Sequence, residues 1–421
     1  MRSCRMWPGA TGIVPELPGR PFWGPMAGGM RTKLTRRRWL RAGAASGGAL
    51  LLGFDEIAWP KPPRPQQKDP FAGGKQLGLA DFIHEGRVEM EIALGSELDG
   101  RLYTDLSKLT SQDRVTPVEK FYVRTRASKL LPHQKSWQIS VDGLVKQPSN
   151  FTVERLNRAV KPMGLHLMEC AGNVPLVDFG MISVAAWAGV PLAEILDGSD
   201  AKPRASRVLI TGFDQYTTKS RTSVPGASWV FSIGELKAAD AFLATELNGK
   251  PLTADHGAPV RLVVPGWYGC TCIKWVTAIT FVDDTVETTS QMKEYAARTH
   301  QNGLPELARD FQPATVDPAA MPIRVEKWLV EKTIKYRIVG IAWGGTTPVK
   351  TLMIRFNPEE DYVPVGNFAQ TKNDPWTLFT HAWSPKEPAT YSIRFAVKDP
   401  SVRTRRLDSG YYVRSVEISE V

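Results

Sequence analysis

A single cysteine lies in a short stretch whose residue types could do chemistry. The stretch from His166 to Pro175 reads HLMECAGNVP, and Cys170 stands between an apolar run and a Gly-Asn turn. A thiolate is a nucleophile and a soft metal ligand, whereas a buried free cysteine is often inert. Composition alone favours the inert core thiol. The stretch by itself leaves a disulfide, a nucleophile and a metal ligand open.

The other cysteines and the histidines exclude several familiar sites. The cysteines are Cys4, Cys170, Cys270 and Cys272, and the histidines are His84, His133, His166, His256, His300 and His381. Cys270 and Cys272 are one residue apart and lack histidine partners, so they do not form a zinc knuckle. The lack of a Cys-x-x-Cys-His motif excludes covalent c-type haem. His166 or His256 could be the base for a nucleophilic Cys170, but nothing nearby resembles a cysteine-hydrolase turn.

The positive charge of the chain is concentrated at its N-terminus. The net charge is +10, and residues 1–41, with nine basic residues and one acidic residue, carry +8 of it, which leaves +2 for the rest. A body this close to neutral gives no support for a nucleic-acid partner. The sequence also has no uninterrupted apolar run long enough to span a bilayer, so we expect no membrane span in the mature body.

The basic cluster has the order of an export signal. A twin arginine at 36–37 begins RRRWLR, and the small apolar stretch AGAASGGALLLGF follows. This order resembles a twin-arginine leader, which favours a periplasmic protein that folds around its cofactor before export. We expect residues 1–54 to be this leader with an N-terminal extension, and the protein to stay anchored if it is not cleaved. Loss of Cys4 with the leader would leave three cysteines, so at least one would be unpaired.

The remaining chain is predicted to be α+β. Residues 55–114 begin with a proline-rich linker and continue as an N-terminal segment without a firm pattern. From 115 to 312, apolar runs such as FYVRT and RVLITGFD alternate with helical stretches such as 152–159 and 191–196. From 313 to 421, runs such as KYRIVGIAW and YSIRFAVKD predict a β-sandwich.

Several motifs, taken in order, resemble those of the sulfite oxidase family of molybdopterin-dependent oxidoreductases. They are FYVRT (Phe121–Thr125), ECAGN (Glu169–Asn173), GMISVAAWAGVPLAEIL (Gly180–Leu196), GFD (Gly212–Asp214), LNGKPLTADHGAPVRLVVPGWYG (Leu247–Gly269) and IKWV (Ile273–Val276). The resemblance covers roughly residues 115–421 and leans towards the bacterial periplasmic sulfite and sulfane dehydrogenases. It implies a sulfite-oxidase-type molybdopterin domain at 115–312 and an immunoglobulin-like dimerisation domain at 313–421.

The resemblance also implies a cofactor and the residues that bind it. Cys170 would be the protein ligand of molybdenum, with Arg124 as a second catalytic residue beside the metal. Asp214 would accept a hydrogen bond from the pterin, and His256 with Arg261 would hold the phosphate side. The full set expected to bind the molybdopterin is Tyr122, Val123, Arg124, Thr125, Arg126, Asp214, His256, Arg261, Cys272, Ile273 and Lys274. Within that set, Cys272 and Ile273 would supply backbone amides.

The sequence departs from the family pattern around the expected substrate pocket. Val174 and Pro175 follow CAGN, where sulfite-oxidising members have arginines. The stretch from Cys170 to Gly180 is shortened and lacks the pocket tryptophan of those members. Residues 288–290 stand where the family tyrosine is expected. Arg126 or Arg221 could then supply the missing cation.

Three hypotheses for function follow. The leading one is a periplasmic molybdenum enzyme that transfers an oxygen atom, oxidises sulfite or a related sulfur compound and passes electrons to an external c-type cytochrome. The alternative is an S-oxide or N-oxide reductase of the same fold. The third is a cofactor-free exported binding module built on the β-sandwich. We expect a small oxyanion or S-oxide as substrate and a homodimer formed through the C-terminal domain, which could instead be a lid without a partner.

Overall fold

A computed structural model describes residues 69–83, 91–92, 100–126, 131, 136–214, 227–366, 368–371 and 375–421. The predicted leader, Cys4, Arg221 and most of the proline-rich linker lie outside these residues. Residues 67–421 form one compact unit, and the predicted boundary near 312 stays a prediction. Within the described ranges, the helices are all too short or too polar to cross a membrane.

Strands dominate the described residues. In chain order they are β1 (Lys75–Ala80), β2 (Phe82–Ile83), β3 (Glu91–Ile92), β4 (Arg101–Leu102), β5 (Gln138–Gly143), β6 (Ser149–Thr152), β7 (Lys161–Glu169), β8 (Ile182–Pro191), β9 (Arg207–Gly212), β10 (Ser228–Ser232), β11 (Phe242–Leu247), β12 (Lys250–Pro251), β13 (Arg261–Val263), β14 (Val276–Val282), β15 (Ala319–Val330), β16 (Thr333–Trp343), β17 (Leu352–Arg355), β18 (Val363–Pro364), β19 (Trp376–Trp383), β20 (Ala389–Val397) and β21 (Arg414–Ile418). The α+β prediction is therefore confirmed only in its coarse form, since sheet greatly outweighs helix.

The described α-helices are short. They are α1 (Val153–Asn157), α2 (Leu192–Asp197), α3 (Ile233–Ala238), α4 (Ser290–Tyr295) and α5 (Arg405–Asp408). α1 and α2 confirm the two helical stretches predicted from the sequence. Three helices begin at hydroxyl caps, because the side chains of Thr152, Ser232 and Thr289 each accept a hydrogen bond from a first-turn amide.

Two sheets are built from strands between residues 138 and 282, and several of these strands end close to one another. One has the order β10-β9-β14-β5-β6, and the other has the order β12-β11-β8-β7 with β13 beside β11. β14 and β5 are parallel, whereas the other pairs are antiparallel. In β9 every second residue is buried, as expected of a strand with one face on the core. β8 is buried along most of its length, so both of its faces are covered.

Two further sheets come from the last part of the chain and from strands near its start. Their orders are β1-β15-β16-β19 and β18-β17-β20-β21-β2. Aromatic contacts join them: Phe356 stacks on Trp383 at 4.3 Å between ring centroids, and Phe379 meets Phe395 edge-on at 5.2 Å. This arrangement fits the predicted β-sandwich in outline, and the immunoglobulin-like assignment stays a prediction.

Candidate active site

A cavity lies where several strands end, and Cys170 lines it. Its volume is about 850 Å³, counting the part that is open to solvent. Cys170 follows β7, Asp214 follows the end of β9, and Lys274 precedes β14, so the sheets carry these residues to one place. The lining residues are Phe121, Tyr122, Val123, Arg124, Thr125, Met168, Cys170, Asp214, Ala227, Asp255, His256, Arg261, Gly269, Cys270, Cys272, Ile273, Lys274, Gln291 and Tyr295. Every residue that the sequence predicted for the site is among them except Arg126.

The backbone around Cys170 forms a tight turn. The Cys170 amide donates to the Met181 carbonyl at 2.9 Å, and its carbonyl accepts from the Asn173 amide at 3.0 Å. The Gly172 amide donates to Cys170 Sγ at 3.4 Å. The described cysteines are all free thiols. Because Cys170 shares a cavity with buried cations, its placement favours a ligand over an inert core thiol.

Arg261 is a buried cation on the wall of the cavity. Its side chain is 5% exposed, and it donates to the carbonyls of His256 at 3.0 Å and Cys272 at 3.1 Å. Its Nε atom has no hydrogen-bond partner among the described residues. A buried donor without a partner is rare in folded proteins, so this atom is available to a ligand.

His256 is held in place by the protein itself. Its Nε2 lies 3.1 Å from the Phe121 carbonyl, so Nε2 carries the hydrogen, and its Nδ1 accepts from the Thr253 hydroxyl at 2.7 Å. Burial lowers the pKa of His256 to about 4, which keeps the ring neutral near pH 7. A phosphate would therefore be held by the charge of Arg261 more than by His256.

Lys274 and Asp214 are half-buried titratable groups in the same cavity. Burial lowers the pKa of Lys274 and raises the pKa of Asp214, and the attraction between them opposes both shifts. Lys274 Nζ donates to the carbonyls of Asp255, at 2.9 Å, and Thr125, which leaves one of its three hydrogens for a ligand. Asp214 Oδ1 is buried and has no hydrogen-bond partner within the described ranges, so it is an open acceptor.

The predicted backbone donors and Arg126 take other positions. The amides of Cys272 and Ile273 donate to the carbonyls of Gly269 and Thr271, so they are occupied within the chain. Arg126 does not line the cavity, and its Nε is 3.6 Å from Oδ2 of Asp255, which does. Arg126 therefore contacts the site through a lining residue rather than directly.

Helix α4 brings to the cavity a tyrosine that was not predicted from the sequence, and the expectation that residues 288–290 stand in place of the family tyrosine stays a prediction. Tyr295 lines the cavity, and burial raises its pKa to about 12, with Arg124 acting in the opposite direction. The phenol is therefore protonated at neutral pH and can donate a hydrogen bond. Tyr295 could have been predicted from the sequence YAAR, because a tyrosine and an arginine three residues apart lie on one helical face.

The arginine of that YAAR stretch lies beside the Cys170 turn. The guanidinium of Arg298 is 5.4 Å from the ring centroid of Tyr295. A Cβ atom placed on Gly172 would lie 3.5 Å from Arg298 Nη1 and 3.8 Å from Cys170 Sγ. Arg298 thus provides a cation close to the thiol, although Val174 and Pro175 stand where arginines were expected.

Two kinds of comparison with known proteins point the same way. Residues 128–290 match the oxidoreductase molybdopterin-binding domain. A nitrate reductase of Hordeum vulgare is 32% identical over 41% of this chain and 21% of its own length. The sulfite oxidase of Arabidopsis thaliana is 28% identical over 43% of this chain and 51% of its own length. The matches thus span between about a fifth and a half of these relatives.

The solved structures include one with the same fold over most of both chains. The sulfane dehydrogenase SoxCD from Paracoccus pantotrophus superposes with a TM-score of 0.58, covering 88% of this chain and 90% of that chain. The sequence identity is 18%, so this likeness concerns the fold alone.

The residues of the cavity fit a molybdopterin. A free thiol lines one part of the cavity, as a molybdenum ligand requires. The buried Arg261 and the half-buried Lys274 line the same cavity and can neutralise a phosphate. The open acceptor of Asp214 and the open donor of Arg261 match the hydrogen-bonding edges of a pterin. Gly269 allows the hydroxyl of Tyr122, another lining residue, to approach closely, because a Cβ atom there would lie 2.5 Å from it.

Proposed function

We propose that this chain, which belongs to the sulfite oxidase family of molybdopterin-dependent oxidoreductases, oxidises sulfite or a related sulfur oxyanion and passes the electrons to an external c-type cytochrome. One observation carries the proposal: a free thiol shares a single cavity with Arg124, Tyr295, the buried Arg261 and the half-buried Lys274. Together they provide a metal ligand, a site for an anion and a site for a phosphate.

The cofactor end of the cavity follows from its charges. Molybdenum on a pyranopterin supplies two-electron oxygen-atom transfer when it is bound. Cys170 would give the protein sulfur ligand, Arg261 and Lys274 would hold the phosphate, and Asp214 would accept a hydrogen bond from the pterin. His256 fixes the backbone of Phe121 on the cavity wall, so its role is positioning.

The substrate end follows from the groups near the thiol. Arg124 and Arg298 would attract an anion, and the attraction is strong where water is partly excluded. Tyr295 remains protonated at neutral pH and would donate a hydrogen bond to an oxyanion. These groups suit sulfite, which carries negative charge on oxygen.

Replacement of Cys170 by serine tests the metal assignment. We expect Cys170→Ser to retain pterin but to lose the protein sulfur ligand, and its sulfite-dependent reduction of cytochrome c should fall by more than about 100-fold. Elemental analysis and molybdenum X-ray absorption measure the first effect, and steady-state kinetics measure the second. Cys270→Ser is the matched control, since it removes another cavity thiol; it should keep the sulfur ligand. Full turnover by Cys170→Ser would refute the assignment.

The reductase hypothesis keeps one specific support. The relatives include nitrate reductases, and Val174 and Pro175 replace the arginines expected in sulfite-oxidising members. Turnover of an S-oxide or N-oxide with a reduced dye, without sulfite oxidation, would select it. The cofactor-free binding module is set aside, because the chain matches a molybdopterin-binding family.

Export and dimerisation are also part of the proposal. The twin-arginine order at 36–37 supports transport to the periplasm, with anchoring if the leader is not cleaved. A homodimer formed through residues 313–421 is supported by the resemblance alone. Cell fractionation tests the first, and light scattering on the mature protein tests the second, where a monomeric mass would contradict it.

A further inference from the structure

The carboxylate that precedes Cys170 is fully buried and is bound by residues from the distant end of the chain. Glu169 has no exposed surface. Its Oε2 accepts from Trp343 Nε1 at 2.9 Å, and its Oε1 accepts from the Tyr412 hydroxyl at 2.8 Å. Arg406 Nη1 lies 3.6 Å from the same Oε1 atom. A buried carboxylate needs such partners, because an unpaired one is strongly destabilising.

Arg406 contacts the cysteine turn, residues 169–173, on both sides of Cys170. Its guanidinium pairs with the Glu169 side chain, and its Nη2 donates to the Ala171 carbonyl at 2.8 Å. The same Nη2 donates to the Arg298 carbonyl at 3.0 Å. One planar group therefore connects the residues before and after the thiol to the segment that carries Arg298.

Neighbouring aromatic residues fix the orientation of this guanidinium. Arg406 lies over the rings of Tyr268, at 4.4 Å, and Tyr411, at 4.7 Å. Tyr411 also donates its hydroxyl to the Asn173 carbonyl at 2.5 Å, which is a further bond to the cysteine turn. Because the group is planar and enclosed, a flexible ammonium could not reproduce these contacts.

We propose that Glu169 and Arg406 are positioning residues that aim the Cys170 thiolate at the metal, so that the segment 405–412 sets the geometry of a ligand whose neighbour, Ala171, lies 235 residues before Arg406. The inference rests on the proposed function only in taking Cys170 as the metal ligand. It does not depend on which substrate is oxidised.

The neighbouring Arg405 forms an ion pair that is remote from the cysteine turn. Arg405 forms a two-pronged pair with Asp317, with Nε–Oδ2 at 2.7 Å and Nη2–Oδ1 at 3.0 Å. Arg405 lies on the same short helix as Arg406, α5, and its side chain makes no contact with the cysteine turn in the described hydrogen bonds. Arg405→Lys is therefore a matched control for Arg406→Lys.

The experiment compares both variants as cofactor-loaded, full-length protein. We expect Arg406→Lys to keep its molybdenum content but to change the electron paramagnetic resonance spectrum of the partly reduced metal and the metal–sulfur distance. Its kcat should fall about 10- to 100-fold with little change in KM. Arg405→Lys should keep the wild-type spectrum and kcat, although its melting temperature can fall.

The outcomes separate positioning from packing. A wild-type spectrum and kcat in Arg406→Lys would overturn the inference, and so would equal spectral changes in both variants. If Arg406→Lys does not fold, Glu169→Gln gives the answer, because it removes the charge that pairs with Arg406 and keeps the shape of the side chain; an unchanged spectrum there overturns the inference. A spectral change in Arg406→Lys, with no sulfite turnover in wild type, would support the positioning role and reject the proposed substrate.

Discussion

An exposed arginine beside a thiol is suited to capturing an anion before it reaches the metal. Arg298 is exposed, yet its guanidinium lies against Gly172 and over Tyr295. We predict that Arg298→Ala raises KM for sulfite about tenfold with kcat changed less than about threefold, because mainly ground-state attraction is lost. Steady-state kinetics at low and high ionic strength measure this, and the difference from wild type should shrink in high salt.

A second arginine serves as the control for that prediction. Arg309 is also exposed, but it is paired with its neighbour Asp310 at 3.8 Å and does not lie beside Gly172. Arg309→Ala should keep the wild-type KM. A KM for Arg298→Ala that equals that of wild type at every ionic strength would show that other groups bind the anion.

Among single residues, those expected to bind the cofactor were predicted better from the sequence than those proposed to bind the substrate. Cys170 and Asp214 lie in ordered motifs that fix their place along the chain, and the structure brings them to one cavity. Tyr295 and Arg298 were missed because no motif surrounds them, and because the expected position was a few residues earlier. Glu169 lies in a motif, but Trp343, Arg406 and Tyr412, which bind its carboxylate, lie more than 170 residues away and have no local signal.

The short turn after α4 carries a histidine whose environment disfavours its charged form. His300 has φ 62, and its Nε2 is buried without a hydrogen-bond partner in the described part of the chain. Burial, then Arg405 and Arg406, lowers its pKa to about 4, against about 6.5 when unfolded. The unfolded state therefore binds more protons between these values, so stability present above pH 6.5 is lost as the pH falls towards 4.

We predict that His300→Asn removes part of this acid sensitivity. Asparagine stays neutral and tolerates a positive φ. Between pH 7 and pH 4.5, wild type should lose about 1–2 kcal/mol more unfolding free energy than the variant, a value reduced for the partial exposure of the ring. Urea titrations at both pH values measure it. Parallel losses in the two proteins would mean that His300 is charged in the folded state or contributes nothing.

At the scale of elements, the helices and strands that were predicted correctly are those that a local sequence pattern is sufficient to determine. α1 and α2 appear where expected, because capping and apolar spacing act within a few residues. FYVRT was expected to be a strand, and this is wrong: it forms only an isolated bridge between Leu102 and Val123. Its other backbone groups bond to distant side chains, such as the Tyr122 amide to Ser183 Oγ at 3.0 Å.

At the scale of the whole molecule, strands from the two ends of the described residues pair with strands that lie far away in the sequence. β1 pairs with β15, so Lys75 lies opposite Leu329, and β2 pairs with β21. No local pattern indicates these pairings, because register across some 250 residues depends on tertiary packing. The cofactor cavity depends on the same long-range order, since the 405–412 segment returns to the cysteine turn.

Cofactor binding should therefore stabilise the whole compact unit in a pH-dependent way. Burial lowers the pKa of Lys274 to about 7 in the cofactor-free cavity, and a bound phosphate favours the protonated form. Above pH 7, binding must then take up a proton, so affinity should weaken by at most about tenfold per pH unit towards pH 9. Asp214, with a pKa raised by burial to about 6, titrates below this window.

We predict that the melting temperature gained on cofactor loading is larger at pH 7 than at pH 9. The measurement compares loaded protein with protein from a pterin-deficient host at both pH values. Lys274→Arg is the control, because a guanidinium stays protonated across the window and should make the gain nearly independent of pH. The same pH dependence in Lys274→Arg would show that another group takes up the proton, and the phosphate would then not lie at Lys274.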